Sequence, residues 1–106
     1  MTNPAQEILI IGLGLIGSSL AKAATNKGLV VHGYDLDQTS LTQALDNKII
    51  DKAIESIDEI NNKELIGKID LIIVAVSPRA TQSVISSLKN LWNTDISITE
   101  TSSVKN

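Results

Sequence analysis

Three glycines at fixed spacing, Gly12-Leu13-Gly14-Leu15-Ile16-Gly17, follow the apolar run Ile8-Leu9-Ile10-Ile11 and precede a stretch of helical periodicity. Few folds are open to a chain in which G-x-G-x-x-G joins a strand to a helix. Each glycine then has its own task. Gly12 permits a tight turn off the strand, Gly14 leaves the backbone bare for a group that must approach closely, and Gly17 lets the helix lie against the sheet. The group that suits this geometry is a pyrophosphate, because the first N–H groups of a helix lack partners within it and carry the positive end of its dipole. No basic side chain is needed, and the loop has none. The same six residues can also make a ligand-free βα turn, so the reading depends on their surroundings.

Those surroundings alternate short apolar runs with amphipathic ones. Residues 15–27 form a helix in this reading, with Ile16, Leu20, Ala23 and Ala24 on its buried face and Lys22, Asn26 and Lys27 opposite. Gly28 stands where a helix C-cap glycine would. A second strand covers 30–34, and Asp37 is the N-cap of a helix through Leu41, Ala44 and Leu45 that ends near residue 48. A short third strand falls within 49–54, followed by a polar helix or loop over 57–65. Asp70-Leu71-Ile72-Ile73-Val74-Ala75-Val76 is the strongest strand signal of all. Ser77-Pro78 stops it, a helix runs through Val84, Ile85 and Leu88, and 96–99 make a last strand.

Strands separated by helices pair in parallel, with right-handed crossovers. The expected fold class is therefore α/β: a Rossmann-type doubly wound parallel sheet of about five strands in the order 3-2-1-4-5. A flavodoxin-like order explains the alternation equally well, and the glycine motif favours the first. The 106 residues make one dinucleotide-binding domain, 1–106. With no Phe and a single Trp, Tyr and Met, its core must come from Ile, Leu, Val and Ala, which suits strands covered on both faces.

Asp35, eighteen positions after Gly17, closes the second strand. A carboxylate at that tip can accept hydrogen bonds from both hydroxyls of an adenosine ribose and would repel a 2′-phosphate. No Lys or Arg follows within several residues to offset it, so Tyr34-Asp35-Leu36-Asp37 points to NAD. FAD shares the fingerprint and is the alternative cofactor, and Asp35 as a plain turn or cap residue is the bland alternative. His32, the single histidine, lies within a strand and reads as structural or solvent-facing rather than catalytic. Trp92 packs under the helix before the last strand in this reading, and Asp58, Glu59 and Glu64 form a solvated face. The chain has no cysteine and no His or Cys spacing of a metal site, so no metal is expected. A net charge of −3, with a pI near 4.9 and no basic cluster, argues against nucleic acid or an anionic membrane as partner. The N-terminal residues carry neither a signal peptide nor a membrane span, which makes a cytoplasmic location the expectation.

Ile10-Ile11-Gly12-Leu13-Gly14-Leu15-Ile16-Gly17-Ser18-Ser19-Leu20-Ala21 and then Gly33-Tyr34-Asp35 resemble the opening of the prephenate dehydrogenases of tyrosine biosynthesis. Asp70 through Pro78 is similar to that family's fourth strand and turn. Ile98-Thr99-Glu100-Thr101-Ser102-Ser103-Val104-Lys105 is similar to its threonine-aspartate-x-x-serine-valine-lysine stretch. The resemblance implies an NAD-dependent oxidative decarboxylation. Hydride leaves the hydroxyl-bearing ring carbon of prephenate for NAD⁺, carbon dioxide is lost, and a histidine serves as base. It also implies that Ser103 lies near the nicotinamide in an orienting role, and that Val76, Ser77 and Pro78 border the cofactor cleft beside Gly12, Gly14, Leu15, Ile16, Gly17 and Asp35.

Glu100 stands where the family has aspartate, and Asn106 where glycine is common. The family's catalytic histidine, substrate-binding arginines and helical dimerisation domain come after this point. The chain is thus expected to be a cofactor half truncated before the catalytic helical domain. It would bind NAD(H), meet prephenate only with that downstream domain, and tend to self-associate through the truncated sheet edge. An arogenate or other hydroxyacid-type dehydrogenase, or a free-standing NAD-binding module, remains an open alternative here.

Overall fold

The computed structural model describes residues 7–56, 59 and 68–76, and the backbone of 97–100. Strand β1, Glu7–Ile11, leads through the glycine loop into helix α1, Leu15–Asn26. Strand β2, Val30–Tyr34, is followed by helix α2, Gln38–Asp46, and by the two-residue strand β3, Lys52–Ala53. Strands β4, Leu71–Val74, and β5, Ser97–Glu100, complete a five-stranded sheet. All pairings are parallel and the order is β3-β2-β1-β4-β5, as expected for a Rossmann-type sheet.

β1 lies at the centre of the sheet and is apolar after Glu7. Ile8, Leu9, Ile10 and Ile11 are all buried, as a strand covered on both faces requires. Alternate residues serve opposite faces. Ile8, Ile10 and Val31 pack with Leu13, Ala21, Ala24, Leu41, Ala44 and Ile50 beneath the two helices. Leu9, Ile11, Ile72 and Val74 are equally buried but lie outside that cluster.

The helix α1 stripe differs from its expected one. Gly17, Ala21 and Ala24 are buried, whereas Ile16 is 58% and Leu20 37% exposed, and Ala23 is exposed too. A Cβ on Gly17 would overlap the Gly12 carbonyl oxygen and come within 3.4 Å of the Ala75 side chain. The helix approaches the sheet so closely that only its smallest residues fit, and the branched ones are turned to its flanks.

Element ends shift by a residue or two. Helix α2 ends at Asp46, and Lys48 adopts φ +60°, which no helix continues through. The third strand shrinks from 49–54 to two residues, because Ile49 and Ile50 donate back to the Ala44 carbonyl as the helix unwinds. The last strand, expected over 96–99, runs one residue further, so that Glu100 ends β5 in register with Val74. The expected helix through Val84, Ile85 and Leu88 and the 57–65 segment apart from Glu59 lie outside the described residues, as does Trp92. Among the described residues no helix is long and apolar enough to cross a membrane.

Candidate functional site

The carboxyl ends of β1, β2 and β4 are level. Ile11 pairs with Tyr34 on one side and with Val74 on the other. From β1 the chain first winds to β2 and β3, then crosses to β4 and β5 on the opposite side. This reversal opens a crevice above β1, which is where doubly wound sheets take their ligands. The glycine loop fills its floor.

Gly12 turns the chain off β1 at φ +102°, a conformation that L side chains rarely adopt, while its N–H donates to the Tyr34 carbonyl at 2.8 Å. A Cβ there would lie 2.6 Å from the Ala75 carbonyl oxygen. Gly14 is different. Its φ of −76° suits any residue, and a Cβ would meet nothing within 4 Å. Among the described residues nothing demands a glycine at this position, which leaves a bare surface. Gly14 is also the N-cap of α1, and no side chain caps that helix. With no acidic residue in its first turn either, the positive end of the helix dipole has no side-chain partner among the described residues. A pyrophosphate fits both observations.

Asp35 stands beside this floor at the tip of β2. Its Oδ2 accepts the Leu13 N–H at 2.6 Å and its Oδ1 accepts the Asp37 N–H at 2.8 Å. Asp37 caps α2 as expected, accepting the Thr39 N–H at 3.2 Å and the Ser40 hydroxyl at 2.9 Å. An ionised carboxylate offers about four acceptor positions, and the two backbone donors leave Asp35 about two. That is the number a pair of ribose hydroxyls requires. Leu15, Ile16 and Leu36 form an apolar rim, with Leu15 87% and Leu36 81% exposed. A cleft of about 100 Å³ between Leu13, Ser18, Ser40 and Asn47 is too small for a dinucleotide.

The structure thus brings together Gly12, Gly14, Leu15, Ile16, Gly17 and Asp35. Val76 lies just past β4, half-buried on the far side of the crevice. Ser77, Pro78 and Ser103 lie outside the described residues. Ser18 was missed by sequence reasoning. Its hydroxyl donates to the Leu13 carbonyl at 2.8 Å and steadies the loop from within α1. Its only signal was a small polar residue directly after the third glycine. His32 is 3% exposed, on the sheet face shared with Leu9, and its Nε2 lies 2.8 Å from Glu7 Oε1. It lies on the face of the sheet opposite Ile8, Ile10 and Val31, which pack beneath the helices. Among the described residues no three His, Cys, Asp or Glu side chains come together as a metal site.

Comparison with known proteins agrees with this geometry. Residues 7–102 match the family model described as NADP oxidoreductase, coenzyme F420-dependent. The chain is 39% identical over 85 residues to the NAD(+)-dependent, decarboxylating 6-phosphogluconate dehydrogenase of Bacillus subtilis, covering 77% of this chain and 18% of that protein. Among solved structures it resembles Aquifex aeolicus prephenate dehydrogenase in complex with hydroxyphenyl propionate and NAD⁺. That match has a TM-score of 0.84 and 27% identity, over 100% of this chain and 36% of the other. Synechocystis arogenate dehydrogenase shares the fold, with a TM-score of 0.80 at 22% identity over 95% of this chain and 34% of that one. The chain spans about a third of these enzymes and less of the curated relative.

Proposed function

Because the chain belongs to the coenzyme F420-dependent NADP oxidoreductase family, and is thereby an NAD(P)-binding oxidoreductase domain, we propose that it is the NAD-selective cofactor domain of a prephenate dehydrogenase. The observation that carries the NAD preference is Asp35, a carboxylate already oriented by two backbone donors, with acceptor positions left for the ribose. A 2′-phosphate would meet Asp35 and, two residues on, Asp37, and the first basic residue after them is Lys48. The prephenate assignment is supported by the match over the whole chain to a prephenate dehydrogenase and by the 98–105 segment.

In this reading the N–H groups of the α1 first turn hold the pyrophosphate against bare Gly14, and Asp35 fixes the adenosine ribose. Ile16 and Val76 flank the crevice, and Ser103 orients the catalytic base. Bound there, the oxidised nicotinamide supplies the hydride acceptor. The reaction proposed for the whole enzyme is oxidative decarboxylation of prephenate to 4-hydroxyphenylpyruvate. The B. subtilis relative favours a second reading, a cofactor domain serving another hydroxyacid.

Calorimetry tests the cofactor part. NADH should bind more tightly than NADPH, and Asp35→Ala should weaken NADH roughly ten- to a hundredfold, the loss of one charge-assisted hydrogen bond, and narrow the preference for NADH over NADPH. Equal affinity for the two cofactors in the parent chain would defeat the reading. The substrate part is tested by NADH formation in the whole protein with prephenate, arogenate and 6-phosphogluconate in parallel, prephenate being the expected winner.

A further inference from the structure

The Leu13 peptide is held at both ends. Its N–H donates to Asp35 Oδ2 at 2.6 Å, twenty-two residues away, and its carbonyl accepts the Ser18 hydroxyl at 2.8 Å. The second Asp35 oxygen accepts the Asp37 N–H at 2.8 Å, so the carboxylate cannot turn away without losing a partner. The Leu13 side chain is buried under the helices, 5% exposed. The residues on either side are Gly12 and Gly14, which lose more conformational freedom on ordering than any other residue type. A loop of this composition would ordinarily have to be ordered by each arriving ligand, at a cost in affinity.

We propose that Asp35 is a positioning residue for the glycine loop. Its carboxylate clasps the Leu13 N–H and preorganises the pyrophosphate floor before any cofactor arrives, in addition to serving the ribose. This inference rests on the dinucleotide-binding reading above, but its consequence is separate. If Asp35 served the ribose alone, its loss would matter only to ligands that carry the ribose hydroxyls. As a clasp it matters to every ligand that uses the loop.

The experiment compares NAD⁺ with its analogue lacking both hydroxyls of the adenosine ribose, binding to the parent chain and to Asp35→Ala. A parallel measurement follows amide hydrogen exchange at Leu13 without ligand. The expected result is an analogue bound about tenfold more weakly by the variant, and a Leu13 amide that exchanges about tenfold faster. Equal binding of the analogue by variant and parent, or an unchanged Leu13 exchange rate, overturns the proposal. Asp35→Asn provides the same readout should the alanine variant not fold. An amide can accept from only one of the two backbone donors on this geometry, so exchange at Leu13 or Asp37 must accelerate, and acceleration at neither overturns the clasp. The underlying reading fails in a different way: a parent chain that binds NAD⁺ and the analogue equally well has no ribose contact, whatever the exchange rates show.

Discussion

A side chain added at Gly14 and one added at Gly17 meet opposite fates, although the two glycines are three residues apart in one motif. At Gly14 the new atoms enter open space where the pyrophosphate would lie. Gly14→Val should therefore lose NADH binding with little change in melting temperature. At Gly17 they collide with the Gly12 backbone, which cannot swing aside as a flexible side chain could. Gly17→Val should cost at least about 1–3 kcal/mol, lowering the melting temperature by roughly 5–15 °C. Identical melting temperatures for the two variants would show that the glycine roles are wrongly assigned. Glu7 carries another residue-scale expectation, because it gives buried His32 a partner at 2.8 Å. Glu7→Ala should destabilise by about 1–3 kcal/mol by leaving the imidazole unsatisfied, and Glu7→Gln, which keeps a hydrogen-bonding group, by distinctly less. Urea titration of both variants separates the lost hydrogen bond from lost packing.

Both helices end on the same turn with different residues. After α1, Gly28 takes φ +87°, Leu29 N–H donates to the Ala24 carbonyl, and the chain enters β2. After α2, Lys48 takes φ +60° and Ile49 N–H donates to the Ala44 carbonyl. A left-handed lysine costs about 1–2 kcal/mol in backbone strain, and glycine returns about 0.5–1 kcal/mol of that in lost unfolded-state entropy. Lys48→Gly should thus stabilise the chain by about 0.5–1 kcal/mol, and Gly28→Ala, with open space around its Cβ, should destabilise by a similar amount. Thermal melts of the pair test the claim, and a Lys48→Gly variant less stable than the parent would refute it. At this scale the sequence was legible where the signal is local. β2 and the Asp37 cap stand at the predicted residues, since alternation and capping depend on near neighbours. The buried stripe of α1 was not legible in full: hydrophobicity favours Ile16 and Leu20, but the distance between helix and sheet selects Gly17 and Ala21. The bounds of β3 escaped, though not its existence, because two residues make no pattern. The Asp35–Leu13 contact escaped because it joins two loop tips that only the folded sheet brings together.

At the scale of the whole molecule, the order β3-β2-β1-β4-β5 places the crevice above β1 and leaves the single histidine beneath the sheet. An imidazole bound to Glu7 and shielded from solvent cannot take a proton from a substrate hydroxyl in that crevice. General-base catalysis contributes about 10²–10⁴-fold. The 106-residue chain by itself should therefore give no NADH from prephenate above background with saturating NAD⁺, even though it binds the cofactor. Turnover by the chain alone, abolished by His32→Ala, would contradict the placement of that residue. The central position of β1 also governs the order of events in folding. β1 can pair with β2 as soon as the first helix has formed, but its other edge waits for β4; Glu7 and Asp70, which meet at the entrance to the two strands, are 63 residues apart. Closing a loop of that length precedes any reward from the contact, so the β1–β4 seam is the slow step and the β1-α1-β2 unit the early one. During synthesis at about 5–20 residues per second, the apolar edge of β1 stays uncovered for several seconds while the ribosome completes the strand that shields it.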